Sequence, residues 1–125
     1  MVGSFGFVTM MFEDGLHIPD DLLWYSCYGG NQKIVKYLNE KGVKNLIMGF
    51  YGACYGGHID ILQILIDNYK LNVNIDKLNY GLQIACENCE TDMAVFLIGK
   101  GATNINMFFK IFPRNNKYKN IINTL

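Results

Sequence analysis

The stretch that decides the fold is ACYGGHIDILQILID, residues 53–67. Taken alone it sets Cys54 and His58 four positions apart, the residue types of a nucleophile and its base. Gly56 and Gly57 lie between them and end a helix, so the spacing does not put both side chains on one helical face. The stretch also recurs. YSCYGGNQKIVKYLNEKG (25–42) aligns with GACYGGHIDILQILIDNY (52–69) at a step of 27, pairing Cys27 with Cys54, Gly30 with Gly57 and Leu38 with Leu65. IACENCETDMAVFLIGKG (84–101) follows at a step of 32, pairing Cys54 with Cys86 and Leu65 with Leu97. A motif that returns at a fixed step belongs to architecture before it belongs to chemistry.

Each unit reads as two helices, which makes the chain all-α. The first is short, near residues 21–28, 48–55 and 80–88, and carries a small residue beside cysteine where helices meet closely: Ser26-Cys27, Ala53-Cys54 and Ala85-Cys86. The second starts after the glycine break and is apolar at helical spacing: Ile34, Val35, Leu38; Ile61, Leu62, Leu65; Met93, Ala94, Leu97. Asn31, Glu90 and Thr91 stand where a polar side chain caps free amides, and Gly42 and Gly101 follow as C-terminal caps. Shifting SFGFVTMMFEDG (4–15) by 27 lays Phe7 on Ile34, Val8 on Val35, Met11 on Leu38 and Gly15 on Gly42. The expected layout is a half unit over 1–15, full units over 16–45, 46–75 and 76–105, and a closing cap over 106–125, interrupted by Pro113.

The segment MGFYGACYGGHIDILQILID (48–67) resembles an ankyrin repeat. Ala53-Cys54 matches that family's small pair, Gly57-His58 its Gly-His, and FLIGKGATNIN (96–106) its closing stretch. The resemblance covers residues 4–106 and is similar to the terse, Asn-rich repeat families of giant DNA viruses of amoebae. It implies a helix-turn-helix solenoid, a non-catalytic protein-binding role, and, for a viral protein, host or viral protein partners in the host cytoplasm. The family's Thr-Pro-Leu-His opening is absent and the 27-residue step is short of the usual repeat of about 33 residues. Hairpin fingers are therefore expected to be short or absent, with 68–79 the one connection long enough for a near-full finger.

Bulk properties narrow the function classes. Half of the 125 residues are hydrophobic, enough to bury a core. Lys plus Arg equals Asp plus Glu at 11 each, so no overall field draws a polyanion, and nucleic acid is not expected as a partner. No apolar run approaches a bilayer span and the N-terminus lacks a secretory pattern, so the chain reads as intracellular, with no membrane partner and its four cysteines reduced.

Four clusters remain as candidate sites. A Cys54/His58 dyad lacks a visible orienting group and oxyanion site, and Asn31 replaces the histidine in the preceding unit. Cys86-x-x-Cys89 falls short of four zinc ligands, and Cys89 stands at a glycine position of the repeat, so no metal or cofactor is expected. In the tail, Lys110, Arg114, Lys117 and Lys119 interleave with Phe108, Phe109, Phe112 and Tyr118; the aromatics are expected to cover the core and the lysines to keep the cap soluble. The fourth cluster is an aromatic column: Trp24 and Tyr28 recur as Tyr51 and Tyr55, with Gln83 and Glu87 in the third unit. The ankyrin resemblance implies that Tyr28, Tyr55 and Glu87 lie on the concave, partner-touching side and that Trp24 and Tyr51 lie between repeats. The alternative is that Tyr28 and Tyr55 merely pack over the neighbouring glycines. A rival to the binding role is a structural subunit that self-associates or stacks on another chain through an apolar edge at Phe7, Val8 and Met11.

Overall fold

The computed structural model describes residues 4–15 and 21–112, and every regular element among them is helical. In chain order these are α1 (Ser4–Glu13), α2 (Leu22–Tyr28), α3 (Gln32–Glu40), α4 (Leu46–Gly56), α5 (Ile59–Gln63) running into a π-helical turn (Ile64–Asn68), α6 (Ile75–Glu87), α7 (Thr91–Gly99) and α8 (Ile105–Ile111). Two packing patterns organise them. Helices α2, α4, α6 and α8 stack in sequence, each on the next, while α3, α5 and α7 each pack back on the helix before them. The first of these pairs, α2 on α4, makes the most extensive contact among the described helices.

The turn inside each unit is built three times from the same bonds. The backbone N–H of Asn31 donates to Ser26 O, that of His58 to Ala53 O and that of Glu90 to Ala85 O, at 3.0, 3.0 and 2.8 Å. The residue before each donor is left-handed: Gly30 and Gly57 at φ +72° and Cys89 at +57°. Such a turn satisfies the last helical carbonyls. At Cys89 it does so with a side chain that φ > 0 disfavours. The small pairs beneath the turns are buried in every unit.

The second helices end on a matching column, with one irregularity. Gly15, Gly42 and Gly101 have positive φ, but between Gly42 and Gly101 the position is taken by Lys70, at +58°, and not by Tyr69. The π-helical turn supplies the extra residue. Val43 N–H reaches Leu38 O and Ala102 N–H reaches Leu97 O, whereas it is Leu71, one residue further along, that reaches Leu65 O. Leu38, Leu65 and Leu97 nonetheless all sit fully buried on the same line of the core. The bulge therefore preserves the apolar register and displaces the turn.

Between Asn68 and Ile75 the backbone holds no regular element, and α6 takes up the residues from Ile75 on. The connection at 68–79 thus forms no finger, because its second half is spent on lengthening a helix. Asn74 starts that helix, its Oδ1 accepting the Lys77 N–H at 2.9 Å. Further along α6, Asn79 anchors the approach to α8, accepting from the N–H groups of Thr103 and Asn104 at 2.8 and 3.1 Å.

At the N-terminal end α1 lies on α3, with Phe5 and Phe12 edge-on to Tyr37 at 5.7 and 5.5 Å. The apolar edge expected there differs from the alignment: Val8 is buried and Met11 half-buried, while Phe5, Phe7 and Met10 are exposed. At the other end Phe108 is buried and the described chain stops at Phe112. The remainder of the expected cap, with Arg114, Lys117, Tyr118 and Lys119, lies outside the described residues. Among those described, no helix is long and apolar enough to cross a membrane.

Candidate interaction surface

The opening pair, Cys54 and His58, is directed to different neighbours. Cys54 is fully buried, and a Cβ placed on Gly81 of α6 would come 3.0 Å from its Sγ. Burial pushes its thiol far above the usual range, and pushes that of Cys27 up to about 12. His58 instead lays its ring between the glycine turn of the preceding unit and the end of its own α4, where a Cβ on Gly30 would come 2.6 Å from its Cε1 and one on Gly56 2.8 Å from its Cδ2. The ring makes no capping hydrogen bond to α5 and serves instead as a bridge to the preceding turn. Glu90 repeats it one unit on, covering Gly57.

Capping itself is carried out by Asn31, whose Oδ1 accepts the Ile34 N–H at 3.1 Å; Glu90 makes no side-chain cap. Cys86 is buried and its thiol is raised to about 11, by burial first and then by Glu87 and Cys89, while Cys89 is exposed on its left-handed turn. Among the described residues no three His, Cys, Asp or Glu side chains gather as a metal site.

The aromatic column becomes a surface cluster. Trp24 stacks on Tyr28 with centroids 5.2 Å apart and planes 11° from parallel. Tyr55, from the next first helix, leans on both at 5.6 and 5.4 Å, tilted by 58° and 59°. Tyr28 and Tyr55 are 43% and 42% exposed, so the cluster meets water while its members bury one another. Trp24 and Tyr51 are half-buried and take part in the aromatic contacts of this face. The rings of Tyr28 and Tyr55 thus pack on Trp24 and on each other, and the glycine turns are covered by His58 and Glu90.

What brings Trp24, Tyr28 and Tyr55 together is the closeness of α4 to α2. A Cβ on Gly52 would collide with the Trp24 carbonyl oxygen and one on Gly56 with that of Tyr28. The four-residue spacing of these glycines puts them on one helical face, letting backbone meet backbone and bringing the side chains at the rim into ring contact.

One further ring belongs to this face. Tyr80 on α6 meets Tyr51 edge-on at 4.8 Å and is 51% exposed. It stands three residues before the aligned column, so alignment does not find it; an unaligned exposed tyrosine on a first helix was the available signal. The aligned positions on α6 behave differently, with Gln83 Nε2 donating to Glu87 Oε1 at 2.9 Å. Glu87 is exposed at the end of α6, beyond Gln83. The Tyr51 hydroxyl is held above its ordinary range by burial, then by Tyr80 and Cys54.

Charge is absent from most of this surface. Neither α2 nor α4 contains an acidic or basic residue; the first on a stacked helix are Asp76 and Lys77 of α6. A patch depleted in charge and rich in Tyr and Trp has the composition of an interface centre. Comparison with family models, with curated proteins and with solved structures returns no match to this chain.

Proposed function

We propose that the chain is a non-catalytic protein-interaction module, an ankyrin-type solenoid of short units, that docks a protein partner on the aromatic face of its stacked first helices. The observation that carries this reading is the Trp24–Tyr28–Tyr55 cluster, partly exposed on two helices without a charged residue, yet held by ring stacking and by a glycine-lined helix contact. Rings already fixed in place lose little conformational freedom when a partner arrives, so more of the contact energy appears as affinity. Origin in a giant virus of amoebae, with host or viral partners in the host cytoplasm, belongs to the same proposal and is supported by the sequence resemblance alone.

The test is affinity capture from the native cell with the wild type and with Tyr28→Ala/Tyr55→Ala, after circular dichroism has matched the two. The wild type should retain specific proteins that the double variant loses. Recovery of the same set by both would remove the face from consideration.

A second reading, self-association or stacking on another chain at the N-terminal edge, draws on a separate observation. A groove of about 600 Å³ opens there between α1 and the outer side of α2, with Phe7, Val8, Leu22 and Tyr25 in its walls. Phe7 and Tyr25 are 52% and 59% exposed. Light scattering tests it, since a strictly monomeric chain at high concentration would argue against it.

A further inference from the structure

We infer that the groove between α1 and α2 is the unfilled place of a first helix. Its occupant is one short α-helix of a partner protein, carrying a large apolar residue followed, three and four positions on, by two small ones. This goes beyond the readings above, since it depends neither on the aromatic face nor on self-association.

The repeat identifies the place. The α2 wall of the groove is Leu22, Tyr25, Ser26 and Gly29, which share one helical face. Advanced by 27 these positions become Gly49, Gly52, Ala53 and Gly56, and by a further 32 they become Gly81, Ile84, Ala85 and Asn88. Those are the faces that α4 turns to α2 and that α6 turns to α4: a Cβ on Gly49 would meet Cys27 and Leu23, and one on Gly81 would meet Cys54 and Phe50. On α2 the equivalent face lines an open groove, with Tyr25 59% exposed. The other wall belongs to α1, which lies in second-helix register with Phe7 and Val8 aligned on Ile34 and Val35. Whereas α3, α5 and α7 each pack on the first helix before them, α1 packs on α3 and has no such helix before it among the described residues. At the end of the groove stands Asn31, in the position from which His58 and Glu90 each cover a glycine of the preceding turn.

The chain's own first helices give the chemistry of the occupant. Each buries a large apolar residue, a small one three positions on and a cysteine four positions on: Leu23, Ser26, Cys27; Phe50, Ala53, Cys54; Leu82, Ala85, Cys86. No residue lining the groove is charged, so the apolar face of such a helix enters without leaving an ion unpaired. Leu22 stands where α4 and α6 carry glycine, so an incoming helix rides on side chains and not on backbone. That looser approach suits a partner that comes and goes.

Trp24 is the sole tryptophan of the chain and its ring meets Tyr25 edge-on at 5.2 Å, so its fluorescence reports on the groove. The full chain is titrated with a tryptophan-free helical peptide copying residues 78–88, stapled through positions 84 and 88, which by the repeat point away from α2. The expected result is a saturable change, about tenfold weaker when the peptide carries Leu82→Ala and lost when it carries Leu82→Lys. On the chain, Phe7→Glu at an exposed position, matched to wild type by circular dichroism, should weaken binding about tenfold. No saturable response at millimolar peptide, or a response unaltered by Leu82→Lys in the peptide, would overturn the inference. So would a response unaltered by Phe7→Glu, which would put the peptide elsewhere on the stack. A dimer of the chain alone that Phe7→Glu dissolves would give the groove to a second copy and overturn it as well.

Discussion

Two helix seams that the repeat makes equivalent are built differently. Where α4 packs on α2 it presents Gly49, Gly52, Ala53 and Gly56; where α6 packs on α4 the corresponding residues, 32 positions on, are Gly81, Ile84, Ala85 and Asn88. The first and third members are shared in kind, Gly49 with Gly81 and Ala53 with Ala85: a Cβ at Gly49 would come 2.9 Å from Cys27 Sγ, and one at Gly81 would come 3.0 Å from Cys54 Sγ. The difference lies at Gly52 and Gly56, where a Cβ would strike the backbone of α2, against Ile84 and Asn88, which carry side chains, that of Asn88 donating to Ile84 O of its own helix at 2.7 Å. The first seam gathers three aromatic rings at its rim. The second has only the Tyr51–Tyr80 contact and a Gln83–Glu87 hydrogen bond. Closeness of approach and the identity of the column residues, aromatic on α2 and α4 but Gln83 and Glu87 on α6, together decide where the exposed aromatics cluster.

The sharpest way to break this comparison is to add one methyl group to each seam. Gly52→Ala drives its Cβ into the Trp24 carbonyl, a backbone atom that cannot yield without moving α2. It should cost about 3 kcal/mol in urea unfolding. Gly81→Ala meets only the Cys54 sulfur and the Phe50 ring, which can shift, and gains helix propensity worth about 1 kcal/mol, so its net change should stay within about 1 kcal/mol. Equal effects would mean that the two seams are alike in tightness.

Each seam also hides a thiol, and alkali should reveal both. Cys27 and Cys54 are raised above their ordinary 9.0 by burial, so the folded state keeps these protons when the unfolded chain has lost them. That contribution is fully present below pH 9 and is lost as pH rises toward 12. Urea midpoints should therefore hold up to about pH 9 and fall above it, less steeply in Cys27→Ala than in wild type, compared as change with pH. A Cys27→Ala slope identical to that of wild type would show that this thiol is not buried as described.

The smallest effect concerns the turn that the third unit makes without glycine. Cys89 sits at φ +57° where Gly30 and Gly57 serve the preceding units. Cys89→Gly relieves that conformation and should stabilise by about 0.5–1 kcal/mol, the strain relief exceeding the added unfolded-state entropy. The same substitution is expected to leave the aromatic face and its fluorescence unchanged. A loss of stability in Cys89→Gly would show that the thiol contributes a contact that outweighs its backbone strain.

Much of this was readable before any coordinates. The apolar triplets of the second helices, the small pairs at Ser26-Cys27, Ala53-Cys54 and Ala85-Cys86, and the left-handed turns at Gly30 and Gly57 follow from helical periodicity and from the steric rules for glycine. The aromatic column itself was legible, whereas the stacking of Trp24 on Tyr28 at the surface, where the resemblance put Trp24 between repeats, was not. Tyr80 escaped because it lies out of column. The turn at Lys70 escaped because a π-helical insertion leaves no mark in composition.

Sequence by itself determined the all-helical character and the buried apolar triplets of α3, α5 and α7, because those depend on contacts within a few residues of chain. Tertiary structure alone decided how near each unit stands to the next. That distance depends on which atoms face each other across a seam, and at Gly52 and Gly56 the absence of a Cβ lets α4 reach the carbonyls of Trp24 and Tyr28 and assemble the face proposed to bind.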